Sequence, residues 1–134
     1  MNYVLLGLFS TMTLLCASTI FFLTLNEFDK YFIHFIFYIQ FVAIYSLLFE
    51  YTHMLFITHI IYGLSILIGS LFAKNEYIIF LILSVITVAK ICVIQIGDCP
   101  YHSSSKRLRF VGGGENDDAL YAVCLCIIIF RFYK

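Results

Sequence analysis

The sequence predicts an all-α integral membrane protein: an up-down four-helix transmembrane bundle with a short fifth apolar helix at its C-terminal end. Three observations predict it. Apolar residues make up 63% of the chain and charged residues only 12%, whereas a soluble domain carries about 25% charge. Four apolar runs of bilayer-spanning length follow one another. Apart from Lys90, Arg131 and Lys134, the charged residues fall between those runs or in one longer polar stretch after the fourth. The length allows a single membrane domain, 1–134. Acidic and basic side chains balance at 8 each. No net field therefore draws a nucleic acid, and the partner expected first is the lipid bilayer.

The first run covers residues 3–25. It turns apolar directly after Met1-Asn2, without the basic flank that opens a signal peptide, and reads as a retained helix. The next three cover 31–49, 54–72 and 77–96. Each has about 19 to 23 residues, enough for a hydrocarbon core about 30 Å thick. Many are β-branched, but a backbone in lipid must satisfy its own hydrogen bonds, so the runs read as helices. The breaks are short: Asn26-Glu27-Phe28-Asp29-Lys30, Glu50-Tyr51-Thr52-His53 and Ala73-Lys74-Asn75-Glu76. Breaks this short make consecutive helices antiparallel neighbours. With no tryptophan in the chain, an interfacial aromatic belt has to come from the ten tyrosines.

Residues 97–118 form the polar loop, which contains Pro100, a basic cluster and Gly112-Gly113-Gly114. The glycines are not a phosphate loop, because no Gly-Lys-Ser/Thr follows and no strand precedes them. Residues 119–132 are apolar again, with Asp118 as the expected N-cap. At about 21 Å this helix is short for a span, yet it lacks the polar face of a surface helix. Spanning, re-entrant and interfacial readings all stay open. Arg131 and Lys134 can extend its reach by snorkelling.

Orientation follows the basic residues. The near side, which holds the N-terminus, carries Lys106, Arg107 and Arg109, with Lys90 able to lean that way; the far side carries Lys30 and Lys74. If the tail stays on the near side, the near side faces the cytoplasm or matrix, together with the N-terminus and the 97–118 loop. If the tail crosses, the two sides nearly tie.

Helical spacing gives each run one stripe of small or polar residues. The stripes are Ser10, Thr13, Ala17 and Thr24; Gln40, Ala43, Leu47 and Glu50; Thr52, His59, Gly63, Ile66 and Ser70; and Ser84, Thr87, Ile91 and Gln95. Membrane helices pack through small residues, so the stripes are expected to face the bundle interior.

Glu50, His59, Lys90 and Gln95 gather in the near leaflet, with Lys90 about 9 Å deep. An intramembrane charge is a functional candidate unless it snorkels or is paired. Glu50 is the carboxylate expected to partner Lys90. A candidate loop site is Asp98, Cys99 and His102, close enough together to act jointly. These offer three metal ligands at best where a closed zinc site takes four, so no metal and no cofactor is expected. Lys106, Arg107 and Arg109 are placed to meet anionic headgroups or simply to fix topology. The five cysteines have no disulfide spacing, and Cys124 and Cys126 point to opposite faces of a helix.

These features favour a non-catalytic structural or assembly subunit, held among other membrane subunits or copies of itself. The alternative is a small oligomeric channel or transporter using Lys90, Glu50 and His59. The third reading is a membrane enzyme built on the Asp98–Cys99–His102 segment. No set of catalytic residues stands out.

Overall fold

A computed structural model describes residues 3–96 and 115–133. The described residues form five helices and no strand: α1 (Tyr3–Phe22), α2 (Glu27–Leu48), α3 (Thr52–Phe72), α4 (Glu76–Ile96) and α5 (Glu115–Phe132). Two of them, α2 and α3, are long and apolar enough to cross a membrane. The apolar stretches in α1, α4 and α5 are shorter, at 6–22, 76–88 and 119–132. Of the four expected spans, length and hydropathy thus support two.

α2 starts earlier than the apolar run that predicted it. The Asn26 side chain caps the helix, accepting the Asp29 N–H at 3.0 Å, and residues 27–30 become its first turn. This Asn-x-x-Asp spacing places an acceptor on orphan amides at the helix N-terminus. α5 also starts earlier, at Glu115, so Asp118 lies inside the helix and is not its N-cap. Acidic residues in a first turn suit the positive end of the helix dipole, which lets the helix run back through Asp117 to Glu115.

α1 packs on α2, α2 on α3, and α3 on both α4 and α5, which also touch each other. The main core gathers Cys16, Ile33, Ile36, Ile66, Ile82, Ile86 and Cys124 from all five helices. A smaller cluster at the near end joins Phe9, Ala43, Leu47 and Leu55. α2, α3 and α4 meet at Gly69, where an added Cβ would stand 2.5 Å from the Phe32 ring and 2.7 Å from Ile82 Cδ1. Only a residue without a side chain permits that approach.

The stripe expectation holds for Gln40, Ala43 and Leu47, and for Ile66 and Ser70, which are buried. It fails on α1 and α4. Ser10, Thr24, Thr87 and Ile91 are exposed, and the inward positions are Phe9, Cys16 and Thr19 on α1 and Ile78, Ile82 and Ile86 on α4. The reason is local. Of the stripe residues, Thr13, Ser84 and Thr87 each donate to the carbonyl four residues back, at 2.7 to 2.8 Å. A hydroxyl satisfied by its own helix needs no polar interior.

The α2–α3 connection closes through a Schellman pattern. Tyr51 N–H donates to Ser46 O at 2.9 Å and Glu50 N–H to Leu47 O at 3.4 Å. This geometry needs a left-handed residue, usually glycine, and Glu50 fills it at φ 56°. Glu50 therefore ends α2 as a cap.

Candidate functional site

The densest polar geometry lies at the far end of the bundle, where the chain leaves α3 and enters α4. A helix that ends leaves carbonyls without partners, and one that begins leaves amides without partners. Here two charged side chains from other helices take both sets. Asp29, fully buried in the first turn of α2, accepts from Asn75 N–H at 2.8 Å and from Lys74 N–H at 3.1 Å. It also accepts from the Asn26 amide at 2.5 Å. Arg131, near the end of α5, donates to Ser70 O at 2.6 Å and Ala73 O at 2.5 Å. The carboxylate sits where the α4 dipole is positive and the guanidinium where the α3 dipole is negative. Asn75 completes the junction by accepting Tyr77 N–H at 2.9 Å, which caps α4. The backbone of residues 70–75 thus bridges the two charges and ties α2, α3, α4 and α5 together.

A second polar point lies midway along α1, α2 and α3. Gln40 is fully buried, and its Nε2 donates to Tyr62 Oη at 3.3 Å. The Cys16 thiol faces the same amide, and Phe9 meets Tyr62 edge-on at 6.2 Å. The other end of the amide, Oε1, is buried without a hydrogen-bond partner.

Of the expected near-leaflet residues, Glu50, His59 and Lys90 have described side chains. Glu50 occupies the α2–α3 turn, beside an exposed aromatic group in which Tyr45 lies 4.5 Å from Phe49 and 6.0 Å from Tyr51. His59 is half-buried on α3. Lys90 holds its ammonium 5.1 Å over the ring of Tyr121 on α5, a cation–π contact between two helices. Its pairing with Glu50 stays an expectation from sequence. Gln95 belongs to the last turn of α4, but its side chain is outside the described residues, as are Asp98, Cys99, His102, Lys106, Arg107 and Arg109. Among the described residues, no three His, Cys, Asp or Glu side chains gather as a metal-binding set.

Sequence reading missed Asp29 and Arg131 as partners of the α3–α4 junction. The local signal was present in Asn26-x-x-Asp29, a capping spacing. No signal in the sequence showed that the same carboxylate would reach 45 residues onward to Lys74.

No family model, curated protein or solved structure matches this chain.

Proposed function

We propose that this chain is a small polytopic membrane protein acting as a non-catalytic structural or assembly subunit of a larger membrane complex. One observation carries the reading. The buried charge and the best-formed polar network are engaged in joining helices, while the outward surface is apolar along the whole bundle. Phe21 and Phe22 on α1 are 82% and 84% exposed, and Tyr38, Phe80 and Phe130 stand out from α2, α4 and α5. A soluble monomer does not expose a continuous apolar surface of this kind. Exposed tyrosines mark both ends, with Tyr3, Tyr45 and Tyr51 at the near end and Tyr31, Tyr77 and Tyr133 at the far end. On α2 the two groups are represented by Tyr31 and Tyr45, about 21 Å apart along the helix, and tyrosines at both ends are the arrangement of interfacial aromatic belts. Lipid covers such a surface, and so do the helices of other subunits.

A second reading, the small oligomeric channel or transporter, draws support from the unpaired Gln40 Oε1 and the half-buried Lys90. Polar groups at membrane depth mark pathways in many transporters. It is the weaker reading, because Gln40 and Lys90 each contact a tyrosine and neither lines a described passage.

The test is native purification in mild detergent, with mass spectrometry of whatever accompanies the chain. Stoichiometric membrane partners support the subunit reading. A clean monomer or homo-oligomer overturns it, and ion flux after reconstitution of Lys90→Leu and Glu50→Gln then tests the channel.

A further inference from the structure

The C-terminal helix has an unusual balance of forces. Its apolar part, 119–132, is short for a bilayer, and its first turn is Glu115-Asn116-Asp117-Asp118. Hydropathy alone gives such a helix a poor claim to cross. Yet it runs alongside α3 in the same direction. Leu120 Cδ2 lies 3.3 Å from where a Cβ on Gly63 would stand, midway along α3. Eleven residues on, Arg131 reaches the last carbonyls of α3. Cys124 and Ile128 are buried between these two points. The end that makes the firmest contact is the cationic one, which counts against insertion on any hydropathy scale.

We propose that α5 is a conditional strap: it crosses the membrane because the Arg131 fork on Ser70 O and Ala73 O holds it along α3, and without that fork it withdraws to the near side. This rests on the membrane reading above. The acceptors Ser70 O and Ala73 O are free for Arg131 only because α3 stops and Asp29 takes Lys74 N–H. Before the α3–α4 break has formed, α5 has nothing to hold. The strap thus reports that the first four helices are assembled, and it carries Tyr133 across to the far side only then.

The experiment places glycosylation acceptor tags on N- and C-terminal extensions of the full chain, inserted into microsomes and washed with alkaline carbonate. With α5 across, the two tags lie on opposite sides of the membrane; with α5 withdrawn, they share a side. The wild type should place them on opposite sides. Arg131→Leu should lower the crossed-to-withdrawn ratio about eightfold, the equivalent of two average interhelical hydrogen bonds in a membrane protein. Hydropathy predicts the reverse, since leucine makes the helix more apolar. Gly63→Leu leaves α5 itself unchanged but fills the space of Leu120, and should lower the ratio in the same direction. An undiminished or increased ratio in Arg131→Leu overturns the strap, and so do wild-type tags on one side. Release of the wild-type chain by carbonate overturns the membrane reading, and the strap with it.

Discussion

Replacing Asp29 by alanine is the severest single test of the far-end junction. The side chain accepts three hydrogen bonds: from Lys74 N–H, from Asn75 N–H and from the Asn26 amide. Asn26 can turn to water, because it lies at the exposed end of the bundle. The two backbone amides cannot turn, because the chain around them is fixed by α3 on one side and α4 on the other. Each buried donor left unpaired costs about 1–3 kcal/mol. Lys74 is exposed and Asn75 half-buried, so water recovers part of that, and the expected loss for Asp29→Ala is about 2–4 kcal/mol. Asp29→Asn keeps one oxygen and the shape, and should lose about 1–2 kcal/mol. Glu27→Ala, on the same helical turn but exposed, serves as the control and should stay within about 0.5 kcal/mol of wild type. The assay is reversible unfolding in mixed micelles, followed by helical circular dichroism. Hydrogen exchange at Lys74 and Asn75 provides a local readout. If Asp29→Ala unfolds with the Glu27→Ala control and the two amides exchange no faster, the carboxylate does not hold the junction.

The other predictions concern packing and buried polar groups. Gly69→Ala should cost about 1–3 kcal/mol, because its Cβ would stand 2.5 Å from the Phe32 ring, whereas Gly7→Ala, with open space around it, should not destabilise and should gain up to about 1 kcal/mol of helix propensity. Gln40→Leu should fall within about 1 kcal/mol of wild type, since one long hydrogen bond is lost and one unpaired buried oxygen is removed with it; a loss beyond 3 kcal/mol (about the most a single polar contact supplies) would mark an unseen partner at Oε1. Lys90→Leu should weaken α4–α5 packing by about 0.5–2 kcal/mol through the lost contact with Tyr121, while partner recovery on native purification stays intact.

The helical class and the order of elements were legible because composition and run length act on every residue at once. The faces were less so. Periodicity showed Gln40-Ala43-Leu47 correctly, since a small or polar stripe on an otherwise apolar helix packs against neighbouring helices. It misplaced Ser10 of α1 and Thr87 of α4, which are exposed; the Thr87 hydroxyl returns to the carbonyl one turn back, as that of buried Ser70 does, so such a hydroxyl carries little information about burial. Glu50 illustrates the same limit. Its charge drew attention as a partner for Lys90, and the structure adds a second role that the charge did not signal, a left-handed cap at φ 56° at the end of α2. The Asp29 contacts could not be read at all, because they depend on where α3 stops relative to α2, a tertiary quantity.

Under the proposed membrane reading, the distribution of polar groups bears on the choice between scaffold and transporter. A transport pathway needs polar groups that remain available to a passing ion or solute. A scaffold needs them committed. At the far end four polar side chains are committed to backbone at a helix terminus: Asp29 to two amides, Arg131 to two carbonyls, Asn26 and Asn75 to caps. Arginine suits this role because its planar fork meets two carbonyls at once, which a lysine ammonium cannot do with the same geometry. Arg131→Lys should therefore keep the charge and still loosen α5. The outcome separates two accounts of the residue. If charge alone anchors the helix end, lysine replaces arginine without loss; if the two-carbonyl fork anchors it, Arg131→Lys moves the C-terminal tag toward the near side, less far than Arg131→Leu does.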